Sequence, residues 1–120
     1  MMSPTIVLKN NQPEIVVGSG GSKRIRTAIL QVISNLLDFG MTVQDAVNSP
    51  RVHWENNVFN VEPGIAETDL NTIKLPADNL LVTWKEKSLF FGGVHTIWEN
   101  SEGLMEGAGD RRRDGVVASC

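Results

Sequence analysis

The 120-residue chain has one cysteine, no apolar run near the ~20 residues of a membrane-spanning helix, and no long basic tract. Each shortage excludes something. A lone Cys120 at the last position cannot close an internal disulfide, so a disulfide-stapled scaffold is ruled out. With 14 Asp+Glu against 11 Lys+Arg the net charge is −3, and clustered cations able to neutralise phosphates across a face are missing. Arg111, Arg112 and Arg113 form the one basic cluster, and Asp110 and Asp114 flank it, which reads as an internally paired turn that closes the fold. The N-terminus lacks a charged segment followed by an apolar one, so no export signal is expected in it.

What is present is an ordinary globular composition, 41% hydrophobic and 21% charged, sufficient for one core and therefore one domain over residues 1–120. No repeat or linker divides it. Thr5 to Leu8 and Ile15 to Val17 are short β-rich runs separated by Lys9-Asn10-Asn11-Gln12-Pro13, which predicts a hairpin. Ile25, Ala28, Ile29, Val32, Ile33, Leu36 and Leu37 fall at i, i+3, i+4, i+7 spacing and predict a helix from about Ser22 to Phe39, with Gly40 as its left-handed stop. Thr42 suits the cap of a second helix through Val47, ended ahead of Pro50.

A second hairpin is expected from Arg51 to Trp54 and Val58 to Val61, bending at Asn56-Asn57. A helix begun by Thr68-Asp69 and stopped before Pro76 follows. Extended stretches then run over Leu80 to Trp84, Phe90 to Trp98 and Leu104 to Ala108, with Gly92-Gly93 marking a bulge or a close neighbour. The expected class is α+β with mainly antiparallel sheets.

The segment with most chemical content is Gly18-Ser19-Gly20-Gly21-Ser22, between a strand and the long helix. Glycines let successive backbone N–H groups point one way, and a helix N-terminus adds partial positive charge, so the loop suits an anion. That anion is a phosphate or the oxygen of a tetrahedral acyl intermediate. The phosphate fingerprints fail: Ser22 precedes Lys23 where a P-loop needs glycine, and Lys23 occupies the last glycine position of G-x-G-x-x-G. A plain packing turn is the alternative.

His53 and His95 sit in strand-like apolar settings without a nearby nucleophile motif, and read as structural or surface histidines. They make no zinc site, and no metal or cofactor is expected. Trp54, Trp84, Trp98, Phe59, Phe90 and Phe91 read as core or sheet-facing side chains, because basic residues are not interleaved with them as nucleic-acid stacking requires.

Taken in order, Met2-Ser3-Pro4-Thr5-Ile6, Gly18-Ser19-Gly20-Gly21-Ser22, Leu37-Asp38-Phe39-Gly40-Met41, Asp45-Ala46-Val47-Asn48-Ser49-Pro50-Arg51, Gly92-Gly93-Val94-His95 and Asp110-Arg111-Arg112-Arg113-Asp114-Gly115 make the chain resemble the C-terminal part of a γ-glutamyltransferase small subunit. These enzymes are N-terminal nucleophile hydrolases. The resemblance implies part of an αββα sandwich. It also implies an autoprocessed precursor whose N-terminal threonine attacks the γ-glutamyl carbonyl of glutathione, forming an acyl-enzyme released to water or an amino acid. The family's oxyanion hole maps by motif onto Gly20 and Gly21. Many members carry a proline in this loop that is lacking here; a gapless alignment would shift the pair to Gly21 and Ser22, and only the first choice keeps two glycines.

The family's paired serines precede the Met-Ser-Pro-Thr-Ile motif, where Met1 and Met2 stand here, and its nucleophilic threonine lies further upstream. Thr5 is not the matching residue. The resemblance therefore implies a chain that lacks the nucleophile and is inactive alone, with the large subunit and the rest of the small subunit as partners. Self-association through uncovered strand edges is expected, and family members are often periplasmic or extracellular. Two other readings stand beside it: a non-catalytic anion-binding module using Gly18 to Ser22, and another amidase such as a cephalosporin acylase.

Overall fold

In the computed structural model, which describes residues 2–120, the chain folds into two sheets and three helices. Strands β1 (Met2–Lys9) and β2 (Gln12–Gly20) form the first hairpin. Asn10 and Asn11 fill its two-residue loop with φ of 51° and 62°, the positive values that match a tight hairpin to strand twist. Asparagine tolerates this region; a β-branched residue does not.

Helix α1 spans Ile25–Leu37 and α2 Val43–Asn48. The former starts three residues later than the apolar stripe suggests, because Ser22, Lys23 and Arg24 form the turn out of the glycine loop and Arg24 caps without a side-chain bond. It ends at Leu37, two residues ahead of Phe39, with the expected stop in place. Gly40 adopts φ +62° and the Met41 N–H donates to the Asn35 carbonyl. At α2, Thr42 Oγ1 accepts from the Asp45 N–H at 3.2 Å, satisfying a donor that the helix cannot.

Strands β3 (Val52–Glu55) and β4 (Val58–Val61) make the second hairpin, again with two asparagines at positive φ, Asn56 and Asn57. The predicted Thr68–Pro76 helix is reduced to one turn, α3 (Glu67–Leu70), which buries no side chain and so gains nothing from lengthening. Strand β5 (Leu80–Thr83) then pairs parallel with β4, the one parallel contact among the described strands. A 3-10 turn at Leu89–Phe91 takes up the first part of the expected Phe90–Trp98 strand, leaving β6 as Gly93–Glu99; β7 is Met105–Ala108. A last 3-10 turn covers Arg111–Arg113.

The sheets have orders β1-β2-β6-β7, wholly antiparallel, and β3-β4-β5. The class is α+β with mainly antiparallel sheets. Helices α1 and α2 cover one face of the larger sheet, burying Ile29, Val32, Leu36, Val43 and Val47 against Ile15, Val17, Val94 and Ala108. Each buried aliphatic side chain is worth roughly 1.5–3 kcal/mol on removal from water. The other face carries a row in register across three strands, Ile6 opposite Val16 opposite Ile97, and all three are about half exposed. A two-residue period thus divides each strand between a covered and an open face.

Four charged side chains join the two sheets. Arg51 precedes β3, Glu62 follows β4, and Asp110 and Arg112 follow β7, and all are buried. Arg112 donates Nε to Glu62 Oε1 at 2.7 Å and a second bond to Oε2; Arg51 Nη2 meets Asp110 Oδ2 at 2.7 Å, and Arg112 Nη1 meets Oδ1 at 3.2 Å. Asp110 also accepts the N–H groups of Val94 and Arg112. Burial alone would raise its pKa, but the Arg51 charge, those two amides and the Arg112 charge together hold the carboxyl below its ordinary value.

Candidate active site

Strand β2 ends at Gly20, in register with Met2 on one side and Gly93 on the other. Gly21 is the first residue past the ladder and has φ +141°, a conformation that only glycine adopts freely. Beyond it, Ile25 N–H bonds the Ser22 carbonyl and Ala28 N–H the Arg24 carbonyl. Among the described residues, no backbone or side-chain acceptor is placed on the N–H of Gly21, Ser22, Lys23 or Arg24. A helix start leaves such donors over, and here they lie in the loop picked out from its glycines.

Gly20 and Gly21, adjacent as expected, are thus in different circumstances. Gly20 lies inside the sheet, and Gly21 stands outside it. Ser19 is buried beneath them, its Oγ donating to the Gly20 carbonyl at 3.3 Å. Beside the loop lies a depression lined by Met2, Pro4, Gly18, Ser19, Gly20 and His95. His95 is exposed there, and its Nδ1 accepts the Asp110 N–H at 3.3 Å.

The surroundings of the loop are cationic. Lys23 Nζ lies 3.0 Å from Glu55 Oε1, Arg24 lies over the Phe90 ring at 4.3 Å, and Arg113 Nη2 donates to the Gly20 carbonyl at 3.1 Å. Arg113 was hidden in the sequence within an apparently self-paired run. The run instead splits: Arg112 turns inward to Glu62 and Asp110, while Arg113 turns back over the glycine loop. One signal for this was legible. The close neighbour implied by Gly92-Gly93 is the Arg113 stem, since a Cβ at Gly93 would lie 2.3 Å from Arg113 Cδ. A Cβ at Gly92 would meet Ala28 and Ser19.

His53 is buried between α1 and β3. Its Nδ1 lies 2.9 Å from Thr27 Oγ1, which also donates to the Arg24 carbonyl, and its Nε2 lies 3.5 Å from Glu55 Oε2. A hydroxyl already donating to a helix carbonyl is not poised as a nucleophile, so this trio links α1 to β3. Phe90, Phe91 and Trp84 pack on one another, Phe91 buried and the other two half-buried, with Trp84 and Phe90 stacked at 4.8 Å. Trp54 instead lies exposed on the smaller sheet, its Nε1 bonded to Asn79.

Comparison with known proteins identifies the family. The family model described as Gamma-glutamyltranspeptidase matches residues 1–120. The glutathione hydrolase proenzyme of Escherichia coli is 36% identical over 113 residues, which is 92% of this chain and 19% of that protein. An acylase ACY 1 proenzyme from Pseudomonas sp. (strain SE83) is 32% identical, covering 96% and 20%. Among solved structures, the γ-glutamyltranspeptidase of Pseudomonas nitroreducens complexed with L-DON superposes with TM-score 0.79 at 27% identity, over 99% of this chain and 62% of that one. The cephalosporin acylase of Bacillus halodurans gives TM-score 0.83 at 29% identity, over 96% and 22%. The chain spans about a fifth of the length of the curated relatives it matches. With the whole chain matched by one family model and its strand–glycine–helix loop in place, it belongs to the γ-glutamyltranspeptidase family of N-terminal nucleophile hydrolases.

Proposed function

We propose that the protein carrying this chain transfers or hydrolyses the γ-glutamyl group of glutathione or a related amide through a threonine acyl-enzyme. Gly20 and Gly21 serve as its oxyanion hole. The observation that carries this is the Gly21 N–H directly past the last ladder residue of β2, which has no acceptor among the described residues. When a hydroxyl adds to the γ-glutamyl carbonyl, that oxygen becomes an alkoxide, and donors already oriented toward it need no rearrangement. Collapse of the adduct re-forms the carbonyl and expels the amine, leaving an ester; water or an amino acid then repeats the addition. The donors serve both halves.

The attacking threonine, on this reading, lies outside the 120 residues, as does the second sheet of the sandwich. The row Ile6, Val16 and Ile97 is the surface that sheet would cover, and its exposure supports a partner there. Residues 1–120 are then one truncated domain of the small subunit, with the large subunit completing the substrate site. Alone, the chain is inactive, because an oxyanion hole without a nucleophile supplies only part of the rate enhancement. Left alone it also self-associates through the same face and the free edges of β1 and β7.

The test is γ-glutamyl-p-nitroanilide turnover. The full-length proenzyme should show it after self-cleavage and the purified 120-residue chain should not; turnover by the chain overturns the inactivity. A second reading, an acylase with the same loop and another acyl group, is favoured by the likeness to the Bacillus halodurans cephalosporin acylase. Cleavage of a cephalosporin side-chain amide with no action on the γ-glutamyl anilide would establish it.

A further inference from the structure

The Gly20 carbonyl and the Gly21 N–H belong to one peptide group. In a trans peptide these two bonds point in opposite directions within one plane, so whatever holds the carbonyl aims the N–H. Two side-chain donors hold this carbonyl, Ser19 Oγ at 3.3 Å and Arg113 Nη2 at 3.1 Å. The guanidinium bond is the charge-assisted one and the stronger. Gly21 needs such a restraint because, without a Cβ, the plane preceding it can turn over at little steric cost.

The Arg113 stem is itself fixed by a glycine. It crosses β6 at Gly93, where a Cβ would lie 2.5 Å from Cγ and 2.9 Å from Nε. Arg113 carries no ion pair among the described residues, so its bond to the loop is not the by-product of a salt bridge made for other reasons. It also follows Arg112, which the buried cluster anchors, so the 3-10 turn delivers it from a rigid base.

We propose that Arg113 is a positioning residue: it orients and polarises the Gly20–Gly21 peptide so that the Gly21 N–H is presented outward as an anion donor. Polarisation follows because charge drawn onto the carbonyl oxygen makes the N–H of the same amide a stronger donor. The catalytic consequence rests on the proposed acyl transfer. The peptide orientation does not.

The two parts are tested separately. Labelling the chain with carbonyl-13C and 15N glycine isolates the Gly–Gly amides, which are Gly20–Gly21 and Gly92–Gly93 alone in this sequence. Arg113→Ala should move the Gly20 carbonyl and Gly21 nitrogen resonances, Arg113→Lys should move them part of the way, and methylguanidine added to Arg113→Ala should return them. The neighbouring Arg111→Ala should leave them in place. An unmoved Gly20–Gly21 signal in Arg113→Ala, or an equal shift in Arg111→Ala, overturns the inference.

In the full-length proenzyme, Arg113→Ala should lower kcat roughly ten-fold with KM within about two-fold of the parent, since a misaimed donor costs less than a missing one. Arg113→Lys should recover part of the loss. An active parent with unchanged kcat in Arg113→Ala refutes the catalytic role. An inactive parent refutes the acyl-transfer reading, and the resonances still decide the orientation.

Discussion

Arg112 and Arg113 are neighbours in sequence and opposites in use. Arg112 is buried, with its guanidinium shared among Glu62, Asp110 and the carbonyls of Val47 and Ser49. Arg113 is exposed, and among the described residues its guanidinium has a single bond, to a main-chain carbonyl. A 3-10 turn sets successive side chains about 120° apart, so adjacent residues of one type are sent to different surroundings. One region is closed: its charges balance, and every guanidinium nitrogen in it except Arg51 Nε has a partner. The other, the glycine loop, keeps donors over among the described residues, and the proposed site rests on that imbalance.

The largest effect should follow from opening the closed region. Glu62→Ala removes the partner of Arg112 and the acceptor of the Arg51 N–H at once. Breaking a buried pair from one side costs about 3–5 kcal/mol, because the other charge stays desolvated. Urea unfolding should show that loss, whereas Arg113→Ala should change stability by less than about 0.5 kcal/mol. Equal losses would erase the distinction between the two arginines.

Next in size is the loop. In the full-length enzyme Gly21→Ala puts a Cβ on a residue at φ +141° and turns its N–H away, so kcat should fall by about a hundred-fold or more with self-cleavage scored separately. Gly18→Ala, one strand turn earlier and without positive φ, meets only ordinary van der Waals contact and should retain activity. Similar losses at both would show that the loop acts through packing alone.

Much of this arrangement was legible in the residues. The α1 stripe, the Thr42 cap, the Gly40 stop and both asparagine hairpins are local matters, fixed by side-chain period and by which residues accept positive φ, and they appear where expected. The glycine loop was found for the same reason. What the residues could not disclose is non-local. That β5 joins β4 in parallel, that Phe90 and Phe91 leave the strand for a 3-10 turn, and that Glu62 is the partner of an arginine 50 positions away all depend on which segments meet. The Arg111–Arg113 run, expected as an internally paired turn, pairs Arg112 with Asp110 but concealed Arg113, whose acceptor is a backbone carbonyl 93 residues distant to which no side-chain pattern points.

A smaller effect concerns acid. Burial works against ionisation of Asp110, but Arg51, the two amides and Arg112 outweigh it and hold its folded pKa below the unfolded one. The stabilisation from that difference is therefore complete above the ordinary Asp value of about 4 and is lost as pH falls through the lower folded value. Unfolding free energy measured from pH 7 downward should drop in that window, and the drop should shrink in Asp110→Asn. The loop has no such group, so Arg113→Ala should leave the shape of the pH curve unaltered.

A substitution with little expected effect on stability separates the regions most sharply. In Gly93→Ala the new Cβ occupies the space of the Arg113 Cδ, 2.3 Å away, but the Arg113 side chain is exposed and can swing aside. Stability should change by no more than about 1 kcal/mol. The swing takes Nη2 from the Gly20 carbonyl, however, so kcat should fall to the level of Arg113→Ala. If both substitutions act through the same bond, the double variant should be no slower than either single one, since the second has nothing left to remove. Independent, multiplying losses would mean that Gly93 affects the loop by another route, through its ladder position opposite Gly20, and that the strand aims the Gly21 N–H without help from the arginine.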